Sequence, residues 1–138
     1  MHAVLVTLGT DGDVYPYIGL GQILKARGHR VTLAANEHHA ETARRLGFEF
    51  ETLLWQTEYD RLIDNPDIWH PWKSALVGAR LGVELLERHY TLVERLSRGP
   101  DSVLVVNPGV LPGRLVQEKH GRPLAQLMLQ PFMFASIH

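Results

Sequence analysis

The chain has 138 residues, 45% of them apolar, with a formal net charge of -1 and a pI near 6.7. That is enough apolar material for one globular core, and the near-neutral balance leaves no electrostatic footprint for nucleic acid or an anionic membrane surface. The absence of cysteine removes disulfides, thiolate metal sites and cysteine nucleophiles, and no apolar run approaches the roughly 20 residues of a membrane span.

Residues 2–8 are an apolar, β-type run that starts directly after Met1. No basic-then-apolar leader precedes it, so a cytoplasmic protein is expected. The run breaks at a loop holding Gly9, Thr10, Asp11, Gly12 and Asp13, and the helical pattern restarts near Pro16 and stops at Gly28. A second strand over 30–35, a helix over 37–46 ending at Gly47, and a third strand over 48–52 follow. The polar and aromatic stretch 53–72 is too long for a simple connection, which marks a functional insertion. Leu76, Val83, Leu86, Tyr90, Val93 and Leu96 then recur at helical spacing and predict one long amphipathic helix over 73–96. A fourth strand over 102–106, a helix over 109–120 stopped by Gly121, and a fifth strand over 123–129 complete the pattern. Residues 130–138 form an apolar tail with Phe132, Met133, Phe134 and Ile137, which calls for cover by further chain or by the mate in a homodimer.

Alternating strands and helices predict an α/β fold, a doubly wound (Rossmann-like) parallel sheet of about five strands, with 1–138 as a single domain. Right-handed crossovers favour the order 3-2-1-4-5, which sets the ends of strands one and four side by side at the switch point. Asp13 and Asn107 then face one crevice.

The first loop has Gly9-x-x-Gly12 rather than the G-x-G-x-x-G of a dinucleotide site, and its two carboxylates would repel a phosphate. A carboxylate at a helix N-terminus is kept ionised and suits a general base. The same spacing also fits Asp11 or Asp13 as a cap of the helix or the turn.

Gly9-Thr10-Asp11-Gly12-Asp13-Val14-Tyr15-Pro16, Gly19-Leu20 and Arg27-Gly28-His29-Arg30-Val31-Thr32-Leu33-Ala34-Ala35 resemble the N-terminal signature of GT-B glycosyltransferases. The likeness is to the branch holding the bacterial sterol and natural-product glucosyltransferases and the family 28 N-terminal domain. It continues through Leu46-Gly47-Phe48-Glu49-Phe50, Asn65-Pro66-Asp67-Ile68-Trp69-His70-Pro71, Gln117-Glu118-Lys119-His120-Gly121-Arg122-Pro123 and Leu129-Gln130-Pro131. The resemblance implies half of a two-domain enzyme, in which this half holds an acceptor and a C-terminal domain holds a nucleotide sugar, UDP-hexose in the usual case. It implies inverting, metal-independent hexosyl transfer to a hydroxyl of a lipid, sterol or natural product, with no further cofactor. Asp13 matches the family's general base, Gly9, Thr10 and Gly12 its acceptor loop, and Asp11 a variable position with no direct role.

Two departures stand out. Where many relatives carry a second acid near the end of strand four, this chain has Asn107-Pro108, so Asn107 is either a substrate-positioning residue or a plain strand-end turn. The donor-binding domain lies outside the 138 residues, so the chain alone is not expected to complete transfer. Either further chain in cis or a separate subunit supplies it. The competing reading is a noncatalytic α/β binding module, or the recruiting subunit of a split glycosyltransferase with peripheral membrane contact through a lipid acceptor.

Trp55, Tyr59, Trp69, His70, Pro71 and Trp72 gather in the insertion that shapes acceptor choice in the family. Trp69 and Trp72 are the acceptor-binding candidates, set against simple packing of the insertion on the core. Of the eight histidines, His38 and His39 are adjacent and on a helix would point about 100° apart, so no metal site is expected. His29, His89 and His120 read as solvated or capping residues, and the charges Glu84, Glu87, Arg88, Glu94, Arg95 and Arg98 as a solvated ion-paired face.

Overall fold

The computed structural model describes residues 1–70 and 72–129. Within them, β1 (His2–Val6), β2 (Arg30–Asn36), β3 (Glu49–Leu54), β4 (Ser102–Val106) and β5 (Leu124–Gln126) form one parallel sheet in the order β3-β2-β1-β4-β5. The order follows the right-handed crossover rule. The apolar tail 130–138 lies outside the described residues, as does Pro71.

The central strand β1 is buried along its whole length, as expected of a strand covered on both faces. Its side chains alternate between two cores. Ala3 and Leu5 join Val31, Leu33 and Val105 beneath helix α1 (Asp11–Ala26), through Val14, Tyr17 and Ile18, and beneath Ala43 of α2 (Ala40–Arg45). On the other face Val4 and Val6 join Leu104 and Val106 beneath α5 (Leu86–Leu96) and α6 (Leu111–His120), through Val93 and Val116. Gly28, Gly47 and Gly121 follow their helices with φ of 83°, 71° and 63°, the left-handed turn that a side chain resists.

The fifth strand is Leu124–Gln126 instead of 123–129, β1, β2, β3 and α6 shift by one or two residues at their ends, and four larger differences from the sequence pattern stand out. Helix α1 begins at Asp11 and not at Pro16, because Thr10 caps it and the missing N–H of Pro16 removes only one bond near the helix start. The second helix opens as a 3-10 turn over Glu37–His39 before α2. The stretch after β3 is ordered as α3 (Gln56–Ile63) and a 3-10 helix over Pro66–Trp69. The long helix divides at Leu85 into α4 (Ser74–Glu84) and α5, since α5 is seated on the core while α4 buries no residue and lies against the Pro66–Trp69 turn.

Helix α6 approaches the sheet closely because Gly113 faces Val106; a Cβ built there would lie 2.6 Å from Val106 Cγ2. Gly19 in α1 has nothing within 4 Å of the equivalent position. Gly113→Val is therefore expected to lower the unfolding free energy by about 2 kcal/mol or more through overpacking. Gly19→Ala should leave it unchanged or raise it by up to about 1 kcal/mol through helix propensity. Denaturant titration of the two variants checks both.

Candidate functional site

The site is built where β1 and β4 end. Past the strands the ladder continues, with Thr7 N donating to Ala34 O at 3.0 Å and Asn107 N to Val6 O at 2.9 Å. The Gly9–Gly12 loop and the Asn107–Val110 turn therefore leave the sheet side by side, and Asn36 at the end of β2 donates its side-chain N–H to Gly9 O.

Asp13 is the third residue of α1. Its Oδ2 accepts the Thr10 backbone N–H at 3.0 Å and lies 3.4 Å from Thr10 Oγ1, while Asp13 N donates to Thr10 O at 2.9 Å. The carboxylate thus acts as the acidic partner in a capping box and also faces an opening. Gly9 makes this arrangement sterically possible. Its φ is +136°, and a Cβ there would overlap Asp13 Oδ2 at 2.2 Å. Thr7 Oγ1 adds a bond to Asp13 O at 3.1 Å from beneath the helix start.

The opening is an apolar cavity of about 390 Å³. Its floor is the strand-end loops, with Leu8, Gly9, Thr10, Asp13, Asn107 and Val110. Its walls come from the insertion: Leu54, Tyr59, Leu62, Ile63, Ile68 and Trp69 on one side, and Gly78, Leu81, Gly82 and Leu85 of α4 on the other. The polar groups gather at the sheet end, where Thr10, Asp13, Asn107 and His89 line one cavity. Asn107 is 8% exposed and its Oδ1 accepts Gly109 N at 2.9 Å, so it serves as a strand-end turn and as cavity lining together.

The insertion is held by a clamp that the sequence pattern hides. Arg88 of α5 makes two 2.8 Å bonds to the Glu58 carboxylate of α3 and a third, also 2.8 Å, to Leu53 O. The Arg88 bonds hold the Glu58 carboxyl below its ordinary range, and Trp55 N adds a further bond at 2.9 Å. Arg88 and Arg95 consequently reach back to Glu58 and to Glu51 of β3, instead of only pairing along a solvated helix face.

Of the other sequence candidates, Trp69 lines the cavity while its indole N–H donates to Ile63 O at 3.1 Å. Trp72 is 87% exposed and is not among the cavity residues. Gly12 lines a neighbouring depression with Thr10, Asp11, His38, Gln56 and Tyr59. The histidine expectations need correction. His89 is buried, with Nε2 2.7 Å from Leu53 O, and His39 is buried beside His38. Within the 3-10 turn Glu37–His39 the side chains turn toward each other, their ring centroids 4.0 Å apart and tilted by 44°, so adjacency does not separate them. Asp11, assigned no role from the sequence, lies 3.6 Å and 3.5 Å from their Nε2 atoms. Among the described residues no helix is long and apolar enough to cross a membrane.

Residues 3–94 match the model of the glycosyltransferase family 28 N-terminal domain. Over 50 residues the chain is 42% identical to O-mycaminosyltylonolide 6-deoxyallosyltransferase of Streptomyces fradiae, covering 36% of this chain and 12% of that protein. Over 51 residues it is 43% identical to a sterol 3-beta-glucosyltransferase of Yarrowia lipolytica, covering 37% of this chain and 4% of that one. The structure of the glycosyltransferase SsfS6 of Streptomyces sp. SF2575, complexed with thymidine diphosphate, superposes with a TM-score of 0.66 at 21% identity, over 91% of this chain and 38% of that one. The aligned part is therefore a small share of the curated relatives and under two fifths of the solved one.

Burial disfavours the charged form of His89 and lowers its pKa below the ordinary value of 6.5. The unfolded chain then binds a proton near that value that the folded chain refuses, so the stabilisation is full above about pH 6.5 and is lost as pH falls below it. Denaturant midpoints should decline from about pH 7 to pH 5. In His89→Gln, whose amide can still donate to Leu53 O, the decline should flatten by up to about 1.4 kcal/mol per pH unit.

Proposed function

Because the chain belongs to the glycosyltransferase family 28 N-terminal domain family, we propose that it is the acceptor-binding part of an inverting hexosyltransferase whose general base is Asp13. The observation that carries the reading is the position of Asp13: one cap-held carboxylate at the polar end of an otherwise apolar cavity. An acceptor seated in that cavity directs its hydroxyl at the sheet end. Asp13 takes the hydroxyl proton, the acceptor oxygen bonds to the anomeric carbon, and the bond from that carbon to the nucleoside diphosphate breaks, the diphosphate leaving with the electron pair. One direct displacement inverts the anomeric centre and asks for no metal at the reacting atoms.

The donor in this reading is a nucleoside diphosphate hexose, UDP- or TDP-linked. It is held by a donor-binding part, in the same polypeptide or in a separate subunit, and no residue of this chain is assigned to it. The acceptor class follows from the walls. A volume of about 390 Å³, lined by leucine, isoleucine, tyrosine and tryptophan with polar groups at one end, suits a rigid apolar molecule with a terminal hydroxyl, such as a sterol or a macrolide aglycone. The sterol and macrolide relatives support that class.

Asp13→Asn tests the base. The amide oxygen can still accept the Thr10 N–H, so the loop is kept while the basic carboxylate is removed. Transfer by this chain acting with its donor-binding part is expected to fall at least about 100-fold in kcat. Undiminished turnover would overturn the assignment and favour a binding module. The acceptor site has its own test in Gly82→Leu. Nothing lies within 4 Å of a Cβ at Gly82, which also lines the cavity, so the new side chain enters acceptor space. Calorimetric titration should show sterol binding weakened at least about tenfold, with no loss of Tm, since leucine is the better helix former.

A further inference from the structure

Beside the apolar cavity, Asp11, His38 and His39 converge from two elements, the first residue of α1 and the 3-10 helix after β2. Asp11 Oδ1 lies 3.6 Å from His38 Nε2 and 3.5 Å from His39 Nε2, and the three ligating atoms all fall within 4.8 Å of one another. These separations are long for hydrogen bonds. The two carboxylate–imidazole separations match the spacing of about 3.3–3.6 Å between ligands that each sit 2.0–2.2 Å from a tetrahedral ion.

A second observation points the same way. His39 is 3% exposed, and its Nε2 is buried with no hydrogen-bond partner. A buried imidazole nitrogen left unsatisfied is costly, and here it is directed at a carboxylate oxygen at metal-ligand spacing. The frame is already fixed. Glu37 Oε2 accepts Gln56 N at 2.8 Å, Asn36 holds Gly9 O, and the Tyr15 and Tyr59 rings pack on His39 and His38.

We propose that Asp11, His38 and His39 form a three-ligand site for a divalent transition ion of the zinc class. Two imidazoles and one carboxylate are the donor set for such an ion, with hard ions such as magnesium disfavoured. A fourth position opens toward the depression lined by Thr10, Gly12 and Tyr59, where water completes the shell. The ion ties the start of α1 to the segment after β2 and so restrains the loop that carries Asp13. It sits at Asp11, in the depression next to the acceptor cavity, and the inference does not rest on the transfer chemistry.

The test is metal binding by the tag-free full chain, stripped with EDTA and titrated with Zn²⁺ against a chromophoric chelator, with Co²⁺ as the spectroscopic probe. One Zn²⁺ per chain and the intense visible absorption of tetrahedral Co²⁺ are expected. Asp11 and His38 have side chains 68% and 30% exposed, so Asp11→Asn and His38→Gln remove ligands with little risk to folding. Each should weaken Zn²⁺ binding at least about tenfold, since even an outer-shell change costs that much. His29→Gln, in the turn before β2, should bind as the unaltered chain does. Failure of the stripped chain to take up one ion, or unaltered affinity in either Asp11→Asn or His38→Gln, would overturn the site.

Discussion

The hydrogen bond from Thr10 N–H to the Asp13 carboxylate is the constraint on which the rest depends. A contact of this kind is worth about 1 kcal/mol as a cap, which is modest. Its greater effect is directional. It turns one carboxylate oxygen back into the loop, fixes the start of α1 at Asp11, and keeps the side chain at the sheet end of the cavity. The loop can close in this way only around a residue without a Cβ at position 9, because the carboxylate occupies the volume a side chain would take. The cap contact engages Oδ2 and does not remove the carboxylate from the opening.

A rigid sheet supplies the polar end of the site, and an appended wall supplies its shape. The strand ends are tied by ladder bonds that run past the formal strands, so Asp13 and Asn107 are positioned by the most buried part of the protein. The wall is different in kind. Helix α4 buries no residue of its own, and α3 is held mainly through Glu58 and its bonds to Arg88. Such a division lets the wall vary in sequence while the strand-end loop that carries Asp13 stays in place.

Much of the fold was legible in the sequence because the signals are local. Runs such as Ala3–Val6 and Val103–Val106 are β-branched or aliphatic and bounded by glycine, and Gly28, Gly47 and Gly121 end their helices in the left-handed turn. The strand order is the doubly wound one that right-handed crossovers favour for alternating strands and helices. Pro16 misled the reading of α1 because proline is favoured at a first turn, whereas the Thr10-x-x-Asp13 box sets the start five residues earlier. The cavity and the His38–His39 pair were not legible. Both depend on tertiary placement: the break at Leu85, the Arg88 clamp across 30 residues to Glu58, and the packing of Tyr15 and Tyr59 on the two imidazoles. His89 could have been found, since it lies four residues before Val93 on the face that α5 buries.

A crystal structure of the chain with a sterol bound would show whether Asp13 meets the acceptor hydroxyl. The sterol rings are expected between α3 and α4, with the acceptor hydroxyl oxygen about 2.5–3.0 Å from an Asp13 carboxylate oxygen. A sterol lodged in the same cavity with its hydroxyl turned away from Asp13 would contradict the assignment of Asp13 as the base.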